Sequence, residues 1–96
     1  VEDDEDFART LCRSFERRGY EVQTATNPDD LDQLLRAASF DYAVVDLKLG
    51  THSGLPCVAA IAAADPATRI VVLTGFASIA TAVEAIKLGA AHYLPK

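Results

Sequence analysis

Short apolar runs alternate along the chain with longer stretches of near-four-residue periodicity. The runs are Phe40-Asp41-Tyr42-Ala43-Val44-Val45, Arg69-Ile70-Val71-Val72-Leu73 and His92-Tyr93-Leu94-Pro95. Val1 opens the chain as a fragment of another, and residues 21–26 alternate in the manner of a strand. Runs this short, bounded by turn residues, predict buried strands. The stretches between them predict helices. Phe7, Leu11 and Phe15 recur every fourth position over 5–18, and Gly19 supplies a left-handed stop. Asn27-Pro28-Asp29-Asp30 combines a capping side chain, a proline in the first turn and two acids at the positive end of the dipole. Leu31, Leu34, Leu35 and Ala38 then give the second helix its buried face. A loop is expected over 47–54, and a small-residue helix over 55–64 that ends at Asp65-Pro66. Ser78 is placed to cap a fourth helix with Ile79, Val83 and Ile86 facing inward and Gly89 as its stop.

Strand and helix in alternation predict βα units and a mostly parallel sheet. The expected fold is α/β, a doubly wound parallel sheet of five strands. Such a sheet carries helices on both faces, and Val1 alone is short for a first strand. The pattern is therefore that of a single incomplete domain over residues 1–96, with part of the first strand and the last helix outside it.

The parallel arrangement changes the meaning of the residues at the strand ends. Asp46 follows the run ending at Val45, Thr74 follows Leu73, Lys96 follows Pro95, and Glu2-Asp3-Asp4 follows Val1. In an open α/β sheet these positions share the carboxyl edge, where ligands bind. Taken singly, each has an ordinary structural explanation: a cap, a loop hydrogen bond or a solvated charge. Together they make a specific set. Clustered carboxylates repel, and a divalent cation makes them tolerable. Oxygen donors in small number suit Mg²⁺, which retains several waters. A cation so held can neutralise phosphoryl oxygens, with a lysine and a hydroxyl as further contacts. Asp46 is then an ionised carboxylate able to attack phosphorus in line and become an acyl phosphate, with no general base required.

Composition narrows the class further. The chain is 96 residues long, half apolar and 24% charged, with nine basic and fourteen acidic residues and a net charge of −5. That is an ordinary globular composition for one domain. No basic stripe is present, which argues against gripping DNA or an anionic membrane directly. No apolar run approaches the ~20 residues of a membrane span, so a cytoplasmic protein is expected. Cys12 and Cys57 form no CxxC pair and are read as small hydrophobes on two different helices. His52 and His92 suggest no metal site.

The chain resembles the receiver domain of two-component response regulators, the CheY-like, flavodoxin-like fold. The residues that carry the resemblance are Val-Glu-Asp-Asp at 1–4, Val-Val-Asp-Leu-Lys-Leu-Gly at 44–50 and Gly-Leu at 54–55. They continue with Val-Leu-Thr-Gly at 72–75, Gly-Ala at 89–90 and Tyr-Leu-Pro-Lys at 93–96. The resemblance implies that Asp46 is the phosphoacceptor, taking a phosphoryl group from a sensor histidine kinase. It implies that Asp3 and Asp46 bind Mg²⁺ directly, with Lys48 giving its backbone carbonyl and Glu2 acting through water. Thr74 and Lys96 would hold the phosphoryl group, Gly75 would keep the pocket mouth open, and Tyr93 would be the aromatic switch coupled to Thr74. Lys48 and Phe76 flank the pocket and would tune phosphoryl lifetime. Phe7 is either a kinase contact or ordinary core packing.

The stretch 73–90 looks most like the RegA/PrrA/ActR branch, redox-responsive transcriptional regulators in which a Fis-type helix-turn-helix domain follows the receiver. DNA would then be reached only through an output domain outside residues 1–96. A homodimer through the face of the fourth helix and fifth strand is a further implication. Gly50 stands where the family usually has proline, which bears on loop rigidity rather than on chemistry. Two other readings stay open: a pseudo-receiver that binds partners without phosphate, and a Mg²⁺-dependent phosphatase working through an aspartyl phosphate. The phosphatase normally has an acid two residues beyond its nucleophile. Position 48 is lysine.

Overall fold

In the computed structural model, residues 1–2, 4–49, 52–74 and 79–95 are described, without the side chains of Lys48, Leu49, His52 and Ile79. Among the described residues four helices are present: α1 (Glu5–Glu16), α2 (Pro28–Ala37), α3 (Leu55–Ala64) and α4 (Ile79–Lys87). The strands are β1 (Tyr42–Asp46), β2 (Lys48–Leu49), β3 (His52–Ser53), β4 (Arg69–Thr74) and β5 (His92–Pro95). The three longer strands form one parallel sheet in the order β1-β4-β5. The two short ones form an antiparallel hairpin immediately after Asp46.

The local signals in the sequence account for the helix ends. The Asp4 carboxylate accepts from the backbone N–H groups of Asp6 and Phe7, both at 3.1 Å, and so caps α1. Asn27 Oδ1 accepts from Asp30 N at 2.8 Å and starts α2. Gly19 and Gly89 have φ of +91° and +121°, the left-handed geometry expected of the two predicted stops. The expected cap of α4, Ser78, lies outside the described residues.

The regular ladder has three strands where five were expected. The other two segments still join the sheet, through single contacts. Asp46 N donates to Val1 O at 2.9 Å, and the Val1 nitrogen donates to the Val44 carbonyl, which sets Val1 opposite Val45 in parallel register. On its other side Glu2 N donates to Ala25 O at 3.0 Å. The 21–26 segment thus lies beyond Val1-Glu2, and the spatial order is that of a doubly wound sheet. The chain first steps one way across the sheet and then returns the other way for every later crossover. Right-handed connections therefore put α1 on one face and α2, α3 and α4 on the other.

The core lies under the three-helix face. Ala43 and Val45 of β1 stand in register with Ile70 and Val72 of β4. Val45, Ile70, Val72 and Val58 are completely buried, and Cys57 and Ile61 nearly so. The α1 face is less covered: Val44 and Val71 are half-buried, as are Phe7, Leu11 and Phe15. Two expectations about faces need correction. Val83 and Ile86 of α4 do not face inward; they are 45% and 41% exposed, whereas Ala82 and Ala85 are buried. Side chains this small let α4 approach the sheet closely, and that rotates the bulkier neighbours to solvent. Ala38, assigned to the inner face of α2, is its exposed C-cap residue.

Thr68 is a buried polar residue that the periodicity did not single out. Its hydroxyl donates to Phe40 O at 2.6 Å and ties the approach to β4 to the approach to β1. In a Thr68→Val variant the Phe40 carbonyl loses this donor. Stability is expected to fall by about 1–2 kcal/mol, read as a lower urea midpoint with an unchanged slope.

Candidate functional site

The parallel register delivers the strand-end residues to one edge. Asp46 ends β1 and pairs with Leu73; Thr74 ends β4 one residue further on and pairs with Pro95 of β5. Since Val1 lies opposite Val45, Glu2 lies opposite Asp46 on the neighbouring segment. Backbones of adjacent strands are separated by roughly 4.8 Å. Both carboxylate residues are buried, Glu2 at 5% and Asp46 at 3% exposure. Glu2 Oε1 accepts from Asp4 N at 3.2 Å. Thr74 is half-buried.

Two buried carboxylates on neighbouring strands raise each other's cost of ionisation, and a divalent cation offsets that cost. The donor set is oxygen, which suits a hard cation. Among the described residues no group of three or more His, Cys, Asp or Glu side chains gathers at one point. The third expected acid, Asp3, lies outside the described residues, as do Gly75, Phe76 and Lys96. Lys48 is described by its backbone alone: it opens β2 and pairs with Ser53.

Two further expected residues lie on other elements, β5 and α1. Tyr93 lies on β5 opposite Val72 and is 49% exposed, so its ring is available to solvent. Phe7 is half-buried on the first turn of α1, where its backbone nitrogen belongs to the Asp4 cap.

The segment after Asp46 is more ordered than the expected loop. Lys48 and Leu49 pair with Ser53 and His52. A glycine-led two-residue spacing between Leu49 and His52 is a hairpin signal in the sequence. Leu47 N donates to Leu73 O at 3.0 Å, and Gly54 N donates to Leu47 O at 2.8 Å. Ser53 Oγ accepts from Leu55 N at 3.1 Å, fastening the start of α3 to the end of the hairpin.

The cysteines are apart from this edge chemistry. Burial pushes both thiols above their usual range, with Glu16 adding to the effect at Cys12 and Asp32 at Cys57. Cys57 is in the core and Cys12 half-buried. At pH 8, Cys57 is expected to react with iodoacetamide more slowly than Cys12, and both more slowly than free cysteine. Since the native state holds these protons longer than the unfolded chain, stability is lost as pH rises past the unfolded thiol pKa of ~8.5. Equal labelling of the two thiols would contradict the placement of Cys57.

Comparison with known proteins bears on the edge directly. A family model described as the response regulator receiver domain matches residues 1–96. The photosynthetic apparatus regulatory protein RegA of Cereibacter sphaeroides is 44% identical over 96 residues, covering 100% of this chain and 52% of that protein. The acid tolerance regulatory protein ActR of Sinorhizobium medicae is also 44% identical, over 100% of this chain and 50% of its own length. The chain thus spans about half the length of these curated relatives, and they are members of the branch that the 73–90 stretch resembles. A response regulator protein from Burkholderia pseudomallei is 52% identical and superposes with a TM-score of 0.94, covering 99% of this chain and 56% of that one. Its crystal structure holds a phosphorylated aspartic acid, a calcium ion and citrate. No helix among the described residues is long and apolar enough to cross a membrane.

Proposed function

The chain belongs to the response regulator receiver domain family, and on that premise we propose that Asp46 is its phosphoacceptor, charged by a sensor histidine kinase. The observation that carries the proposal is the edge itself. Asp46 and Glu2 are buried side by side on adjacent strands, with Thr74 ending the next strand. The phosphorylated aspartate and calcium of the Burkholderia relative support it.

In this reading Asp46 and Asp3 hold Mg²⁺ with the Lys48 carbonyl, and Glu2 reaches it through water. When bound, the cation neutralises phosphoryl charge. The residues of the chain do the rest. An Asp46 carboxylate oxygen forms the new bond to phosphorus as the bond to the donor breaks, and the electron pair leaves with the donor. The attack uses the carboxylate form of Asp46, so no proton moves at this residue. Thr74 donates its hydroxyl to a phosphoryl oxygen and Lys96 pairs with another, while Gly75 leaves the mouth open. Lys48 and Phe76 border the pocket and set the lifetime of the phosphoryl group, and Phe7 is a kinase contact.

The switch follows from the same register. Thr74 drawn toward the phosphoryl group vacates space for Tyr93, whose ring is half exposed in the present state. Phosphorylation biases two packings of the α4 and β5 face rather than creating a new one, and a shift from 1:99 to 99:1 needs about 5.5 kcal/mol of preference. That face exposes Val83, Ile86, Tyr93 and Leu94, which suits a homodimer contact. Control of transcription would pass to an output domain beyond these residues, in the cytoplasm.

The test is incubation of the protein with Mg²⁺ and acetyl phosphate. One acid-stable, base-labile phosphoryl group per chain is expected. No incorporation would favour an interaction module that does not use phosphate, and continuous turnover would favour a phosphatase.

A further inference from the structure

The hairpin and α3 meet Asp46 at Gly54. Gly54 is buried and occupies the N-cap of α3 with φ −78° and ψ −8°, a conformation open to any residue. Its need for glycine is therefore one of space. A Cβ built there would stand 2.1 Å from the carbonyl oxygen of Asp46, 2.9 Å from Leu47 Cα and 3.0 Å from the Asp46 carbonyl carbon. All three are backbone atoms, so no side chain can swing away to make room.

We infer that Gly54 is a positioning residue for Asp46, pressing the start of α3 onto the Asp46–Leu47 peptide and fixing the direction of the carboxylate. The inference rests on the reading of Asp46 as phosphoacceptor. Which partner gives way on substitution follows from burial. α3 is anchored by Cys57, Val58 and Ile61, none more than 2% exposed, and it packs on β1 and β4. The Asp46–Leu47 peptide leads instead into a hairpin with two residue pairs. The Gly54 N–H to Leu47 carbonyl bond at 2.8 Å couples the two sides, so the displacement reaches Leu47 as well as Asp46. A side chain at position 54 thus moves the reacting group and leaves the helix in place.

A misplacement of about 1 Å at a reacting group costs roughly 100-fold in rate. Gly54→Ala in the full chain is expected to stay folded and to take phosphoryl groups from acetyl phosphate about 100-fold more slowly per folded molecule, by that same relation. The control is Gly89→Ala, where φ of +121° and a Cβ contact of 3.0 Å to Ala62 strain the fold on a different loop. It is expected to lose stability and keep the wild-type rate per folded molecule. A folded Gly54→Ala chain that reacts within threefold of wild type overturns the inference. So does one that fails to fold, since α3 would then have given way instead of the Asp46 peptide. Wild-type protein that takes no phosphoryl group removes the reading beneath it, an outcome visible before either variant is made.

Discussion

Asp46→Asn is expected to abolish phosphoryl incorporation from acetyl phosphate, with the fold intact. The substitution keeps shape and volume and removes the ionised oxygen that would attack phosphorus. Among the described residues the neighbouring carboxylate is Glu2, which is on the adjacent segment and whose Oε1 accepts from Asp4 N. The same variant should weaken the response to Mg²⁺. A cation that binds only the folded state at a concentration one hundred times its Kd stabilises by about 2.7 kcal/mol, and on the proposed reading Asp46→Asn would remove one of its charged ligands. The check is a thermal melt with and without Mg²⁺ alongside intact-mass detection of the phosphoryl adduct. An Asp46→Asn chain that still gains the adduct would move the phosphoacceptor elsewhere. A melting temperature equally responsive to Mg²⁺ in both proteins would separate the cation from this carboxylate.

The largest expected loss of stability comes from Ile70→Ala. Ile70 is fully buried on β4, the central strand of the ladder, and belongs to the cluster that includes Val45, Val58, Ile61 and Val72. Truncating a buried isoleucine costs about 2–5 kcal/mol, transfer and cavity terms together. A domain of this size has a total stability of about 5–15 kcal/mol, so the variant approaches the threshold of folding. The urea midpoint should fall by roughly 0.7–5 M, on an m of about 1–3 kcal/mol/M. Ile86→Ala is the informative partner. Hydrophobic pattern ranks the two isoleucines alike, but Ile86 is 41% exposed, and its truncation should cost less than about 1 kcal/mol. Equal losses would place α4 differently against the sheet.

Much of the fold was legible in the chain because its causes are local. The cap at Asn27, the glycines at 19 and 89 and the bounds of α3 depend on residues within a turn of one another. The strands carrying Asp46 and Thr74 were legible for a related reason. A strand buried on both faces must be a continuous apolar run, and the first reactive residue after it marks the edge. What escaped was whatever depends on a neighbour distant in sequence. The inward face of α4 was misassigned because periodicity favours the largest apolar residues, whereas close packing on the sheet selected Ala82 and Ala85. A loop is expected after Asp46 because strands of two residues each carry no hydrophobic period, which leaves the glycine-led spacing between them as the local signal.

By itself, then, the sequence determined the βα alternation, the parallel edge and the places of Asp46 and Thr74 on it, since hydrophobic period and capping chemistry act along the chain. Only the tertiary structure decided which carboxylate stands beside which, because register is set by hydrogen bonds between segments as far apart as Val1 and Asp46. It also decided why position 54 must be glycine. The backbone angles there suit any residue, and the constraint comes wholly from an Asp46 carbonyl pressed against it by the packing of α3.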